Sequence, residues 1–144
     1  MKIEIPIAAL TQNVYYRKFQ NRLIISKRGK DYKELVNNYI QSYPKILGKV
    51  KLDLVFYFKD KRKRDLDNLH KCLIDSMKNI LFEDDDMIYK IYLEKHIGAG
   101  VDKIIINIES MEKFNDKNIN TIENLNIIEN ANTNTIENTN NIEP

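Results

Sequence analysis

The chain has 144 residues with 23 Lys/Arg against 21 Asp/Glu, which allows one domain and an appendage. Charge interrupts every apolar run well short of membrane-spanning length, and the N-terminus carries Glu4 and no long apolar stretch, so a membrane partner and a signal peptide are both excluded as expectations. Cys72 is the only cysteine, which rules out an internal disulfide and points to a reducing compartment. The net charge of +2 conceals an asymmetry: residues 1–110 carry 21 basic against 15 acidic side chains, and residues 111–144 carry 2 against 6. A basic globular part with an acidic tail is compatible with nucleic-acid binding.

In chain order, Ile3, Ile5 and Ile7 recur with a period of two, which predicts a half-buried strand over 2–9, and Pro6 places it at a sheet edge. The stretch Thr11 to Lys18 interleaves Tyr15 and Tyr16 with Arg17 and Lys18. It reads either as a nucleic-acid contact or as a loop whose tyrosines cover the core edge. Residues 22–26 predict a second short strand, and Lys27-Arg28-Gly29-Lys30 a basic turn. A helix follows from Asp31, its expected cap, to about Ser42, with Tyr32, Leu35, Val36, Tyr39 and Ile40 on one face and Pro44 as its stop. Residues 50–58 alternate and then turn wholly apolar, which predicts a strand in the middle of a sheet. A helix is predicted from Asp67 to about Leu81 with Leu69, Cys72, Leu73, Ser76, Met77 and Ile80 inward. Strands over 87–93 and 103–109 are expected to form a hairpin through Gly98-Ala99-Gly100. Residues 112–144 form an Asn-rich acidic tail, with 11 Asn in the last 34 residues and Thr121-Ile122-Glu123-Asn124 repeated at 135–138. Its apolar content is too low to offset chain entropy, so it reads as a disordered appendage to a domain over 1–111.

Chemistry concentrates at Arg64-Asp65-Leu66-Asp67-Asn68-Leu69-His70-Lys71, which the basic run Lys61-Arg62-Lys63-Arg64 introduces. Asp65 and Asp67 stand two residues apart, so in an extended segment both carboxylates face one side. Crowded carboxylates invite a hard divalent cation such as Mg²⁺. Taken alone, Asp-x-Asp is more often a turn, and Asp67 is also a natural helix cap. Lys71 lies one helical turn after Asp67, where it either forms an ordinary ion pair or meets a metal-bound phosphate. Asn68 could hold a phosphate by hydrogen bonds. A second acidic knot, Glu83-Asp84-Asp85-Asp86, lies between the helix and the next strand and is for the most part a solvated turn. His70 and His96 read as structural, and Cys72 as core.

The run Lys63 to Lys71, followed by Asp75 and by Glu83-Asp84-Asp85, resembles the RusA family of Holliday-junction resolvases over roughly residues 3–110, including Asn13-Val14-Tyr15-Tyr16-Arg17. The resemblance implies an α+β fold, a small mixed β-sheet with two main helices packed on it, assembled as a homodimer in the bacterial cytoplasm and encoded by the cell or by a phage or prophage. It implies that Asp65, Asp67 and Asp85 bind Mg²⁺, with Mn²⁺ as a substitute, and that Lys71 is essential to cleavage. Asp84 and Asp86 stay open as one-residue alternatives to Asp85. It further implies an endonuclease acting on four-way junctions or other branched DNA, with Arg17, Lys18, Arg22, Lys27, Arg28, Lys61, Arg62, Lys63, Arg64 and Asn68 on the DNA. The alternatives are a general branched-DNA or flap nuclease and a non-catalytic nucleic-acid-binding protein.

Overall fold

In the computed structural model, residues 1–112 are described; the reading of the Asn-rich tail lies outside them. The fold is built around β4, Val50–Phe58. Its alternation is strict: Val50, Leu52, Leu54, Phe56 and Phe58 are each fully buried, and the residues between them are half-covered. A strand this apolar on one side needs neighbours on both edges, and it has them. β6 (Lys103–Ser110) pairs antiparallel on one edge, and β5 (Ile88–Ile97) pairs parallel on the other. β1 (Lys2–Ile5) adds to β6, giving the order β1-β6-β4-β5. β1 is therefore an edge strand, as Pro6 suggested, but it ends at Ile5 and does not run on to residue 9.

The predicted hairpin of the last two strands does not form, because β4 lies between them. The connection through residues 98–102 instead passes the end of β4. Ala99 N donates to Phe58 O at 2.9 Å, Gly98 N to Asp60 O at 2.7 Å, and Lys59 N to Asp102 Oδ1 at 2.9 Å. Gly98 and Gly100 supply positive φ angles of 70° and 75° for that crossing.

Two main helices join the core, α2 (Lys27–Ile40) and α3 (Asp67–Met77), which pack on each other. α2 begins four residues earlier than expected. Ser26, not Asp31, is its cap, and its Oγ accepts from Gly29 N at 3.0 Å. The Lys27–Lys30 segment is thus the first helical turn and not a loop. A Cβ at Gly29 would collide with the carbonyl of Tyr15, so α2 sits as close as it does only with glycine there. Gly29, Tyr32, Val36 and Ile40 face inward; Leu35 and Tyr39, expected on that face, are exposed. The helix has already ended when the chain reaches Pro44.

α3 stops at Met77 and not near Leu81, because Lys78 leaves helical geometry and Asn79 adopts φ 66°. Leu66 occupies its N-cap position, so Asp67 lies in the first turn and does not cap. The stretch around Tyr15 is ordered rather than a loop: α1 (Gln12–Tyr15) runs straight into β2 (Tyr16–Phe19), which pairs with β3 (Arg22–Ile25) as a separate two-stranded sheet. Tyr15 is fully buried and meets Tyr32 edge to face at 6.2 Å, which makes it a core residue. The α+β class with a mixed sheet and two main helices holds, with the short α1 as a third.

Candidate active site

After β4 the chain turns outward through Lys59–Arg64, and Asp60 organises that turn. Its carboxylate accepts from Arg62 Nε and Nη2 at 3.0 and 2.8 Å and from Arg64 Nη1 and Nη2 at 2.7 and 2.9 Å. Arg64 also lies over the Phe58 ring at 4.0 Å, and Lys95 Nζ donates to its carbonyl. The Arg64 side chain is only 15% exposed. The two guanidinium groups, Arg64 first, hold the Asp60 carboxyl far below the usual carboxylate range. Asp60 was not singled out in the sequence, although its spacing of two and four from the arginines was visible there.

This clamp presents Asp65 and Asp67 at the start of α3. Both are exposed, and among the described residues neither side chain has a hydrogen-bond or ion-pair partner. Asp67 gains from the positive end of the α3 dipole, without capping it. Asn68 is half-buried in the same turn. Lys71 finds its carboxylate one turn further on: Nζ lies 3.9 Å from Asp75 Oδ2. Tyr16 Oη donates to the same oxygen of Asp75. Burial pushes the Asp75 carboxyl up, the nearby charge of Asp85 adds to this, and Lys78 opposes it. Sequence reasoning left Asp75 without a role, and for Tyr16 it offered a nucleic-acid contact or core-edge cover but not this bond to Asp75.

Lys71 and Asp85 line one recess of about 210 Å³ with His70, Ile74, Ile88 and Ile91. The structure separates the three consecutive aspartates of the acidic knot. Asp84 accepts from Lys78 Nζ at 2.6 Å and from Asp85 N at 2.7 Å, and these bonds hold its carboxyl down at about 2. Asp86 is exposed, and only Asp85 lines the recess. His70 Nδ1 lies 3.3 Å from Leu66 O. Burial raises the Cys72 thiol to about 11, which fits its place in the core.

The three aspartates expected to share a cation supply hard oxygen donors, the chemistry that Mg²⁺ takes. Asp65 and Asp67 do not line the recess that holds Asp85, and among the described residues no three His, Cys, Asp or Glu side chains gather around one point. The donor chemistry fits the ion, but the trio is not assembled.

The predicted DNA-contacting residues fall into two groups. Arg17, Lys18 and Arg22 are exposed on the β2–β3 hairpin, and Lys27 and Arg28 are exposed in the first turn of α2. Lys61, Arg62 and Lys63 are exposed on the outward turn, whereas Arg64 is folded against Phe58. No helix among the described residues is long and apolar enough to cross a membrane.

A mixed α+β domain that sets acidic side chains and a lysine beside cationic surfaces has the makeup of a phosphate-directed protein. The comparison with known proteins is specific: residues 5–109 match the family Endodeoxyribonuclease RusA, and the chain belongs to that family. Similar proteins include the crossover junction endodeoxyribonuclease RusA of Shigella sonnei (strain Ss046), 34% identical over 79 residues. The proteins of the same name from Escherichia coli (strain K12) and from Enterobacteria phage 82 are 33% and 34% identical over 79 residues. Each of these matches covers 53% of this chain and 66% of the relative.

Proposed function

We propose that the protein is a Mg²⁺-dependent, structure-selective endonuclease that resolves four-way DNA junctions by paired symmetric nicks in recombination and repair. The observation that supports this reading is the recess in which Lys71 of α3 meets Asp85 of the turn before β5, with Asp67 in the first turn of α3 and Asp65 just ahead of it. Asp65, Asp67 and Asp85 are the side chains that would hold Mg²⁺, or Mn²⁺ in its place. Such an ion, when bound, supplies a polarised phosphate oxygen and an acidified water.

The chain's own groups do the rest. Lys71 sets its ammonium against the phosphate as negative charge builds there, and the half-buried Asp75, 3.9 Å away, attracts that ammonium toward the recess. Cys72, buried and protonated, is not a nucleophile, which favours direct attack by water. The exposed arginines and lysines contact phosphates, which gives affinity and salt dependence without sequence choice. Paired nicks need two equivalent sites, which a twofold homodimer supplies.

The test is cleavage of a synthetic four-way junction, a flap and a linear duplex of matched sequence in Mg²⁺, by the wild type and by Asp67→Asn. Symmetric nicks on the junction alone, slowed about 10²–10³-fold in the variant while binding persists, are the expected outcome. Equal cutting of the flap would reassign the protein as a general branch nuclease. Binding with no cutting in any metal would make it a non-catalytic DNA-binding protein.

A further inference from the structure

The β2–β3 hairpin has a fixed base and an open tip. At the base, Ser26 N donates to Tyr15 O at 2.8 Å, Ser26 Oγ donates to Val14 O at 2.6 Å, and Tyr16 is tied to Asp75 on α3. At the tip, Gln20 and Asn21 have φ angles of 46° and 59°, the two left-handed residues of a tight turn that matches strand twist. Phe19 stands opposite Arg22 beside that turn, and Lys18 stands opposite Leu23.

Phe19 is 52% exposed and Leu23 60%, large apolar side chains left uncovered on the strands that flank the polar turn Gln20-Asn21. The charged residues of this segment are all cations. Arg17 lies over the Phe19 ring at 5.7 Å, and from Ile5 to Lys30 the chain has six Lys/Arg and no Asp or Glu. The hairpin also carries a recess of about 220 Å³ lined by Gln12, Asn13, Tyr16, Arg17, Lys18 and Leu23. Its amides can hydrogen-bond a base edge, and its cations can hold the attached phosphate.

We infer that the β2–β3 hairpin is a wedge for DNA branch points: Phe19 stacks against bases opened at the branch, and Arg17, Lys18 and Arg22 hold their phosphates. This inference rests on the reading that the substrate is branched DNA. An apolar ring set among cations matches a ligand that is anionic along its backbone and flat and apolar between its bases. Opening costs least where stacking is already interrupted, so the wedge favours a branch over a continuous duplex.

The experiment places 2-aminopurine beside the branch of a four-way junction or, as a control, within a linear duplex. Asp67→Asn protein is added so that the DNA stays intact, with binding followed in parallel by anisotropy. The branch probe brightens about twofold or more and the duplex probe does not, as unstacking requires. Adding Phe19→Ala removes the brightening while weakening binding by about tenfold or less, and Phe19→Trp restores it. Phe19 lies outside the core, so an unchanged melting temperature certifies the variant's fold.

Undiminished brightening with Phe19→Ala overturns the wedge, and so does equal brightening in the duplex. Brightening and binding that fall in strict proportion would reduce Phe19 to general grip and also overturn it. A protein that cuts junctions with a silent branch probe loses only the wedge; one that binds no DNA loses the endonuclease reading itself.

Discussion

Two basic regions of this molecule look alike in sequence and differ in what their charges are free to do. Residues 59–64 hold five cations and one acid, and that acid, Asp60, binds two of the arginines. Arg64 is further committed to the Phe58 ring. Residues 16–30 hold six cations and no acid, and among the described residues none of the six has a carboxylate partner. The first region uses part of its charge to fix the approach to Asp65 and Asp67. The second keeps its charge at the surface. A count of lysines and arginines, five against six, therefore understates the difference between the two regions, because a partner within the chain decides which cations remain for phosphate.

The largest expected effect follows on the hairpin. Replacing Arg17, Lys18 and Arg22 together by Ala weakens binding to four-way junctions and linear duplex alike, on the order of 10²-fold at low salt. The slope of log affinity against log salt becomes shallower by about 3. Anisotropy titrations over a salt series measure both. Loss of affinity with an unchanged slope would mean that these cations do not neutralise phosphates, and the contrast between the regions would fail.

Asp60→Asn tests the other side. It releases Arg62 and Arg64, so the fold loses stability while DNA affinity holds or rises. Because the arginines depress the Asp60 carboxyl in the folded chain, its stabilising effect is complete above the ordinary carboxylate range and fades as pH falls through the lowered folded value. The melting temperature of the wild type should therefore exceed that of the variant most near neutrality, with the gap narrowing below about pH 4. Salt should narrow it too, chiefly through the Arg62 arm, which is exposed, and less through Arg64, which is folded against Phe58. A gap constant from neutral to acid pH would contradict the clamp.

What the sequence made legible follows from how local each signal is. β4 and the inward face of α3 were readable because their patterns lie within single elements: Val50 to Phe58 alternates, and Leu69, Cys72, Leu73, Ser76 and Met77 recur at helical spacing. The pairing of the last strands was not readable. β5 is mostly exposed along its length, and nothing local shows that β4 will take its edge. The start of α2 was misread because four residues with three cations look like a turn, and what decides is the close approach of Gly29 to Tyr15. In the candidate site, Asp65, Asp67 and Lys71 stood out in one contiguous run and Asp85 through the family resemblance; the structure brings Lys71 and Asp85 to one recess and leaves Asp65 and Asp67 outside its lining. Asp75 takes its role from Tyr16, 59 positions away, and that contact has no signature in the sequence.

The smallest expected effect comes from the first turn of α2, where stability and binding pull in opposite directions. Lys27, Arg28 and Lys30 sit where the helix dipole favours negative charge, and no acidic side chain occupies that turn. Each cation there costs the fold about 0.3–1 kcal/mol at low ionic strength. Lys27 is exposed, so a substitution disturbs no packing. Lys27→Glu should therefore stabilise the folded chain by about 0.6–2 kcal/mol in urea melts, since it removes an unfavourable charge and adds a favourable one. The same substitution should weaken DNA binding and lower the salt slope by about 1. Opposite signs in the two measurements would show that this turn keeps its cations for a ligand and at the expense of the helix. If Lys27→Glu left DNA binding untouched, the cationic surface would end at the hairpin, and the first turn of α2 would lie outside it.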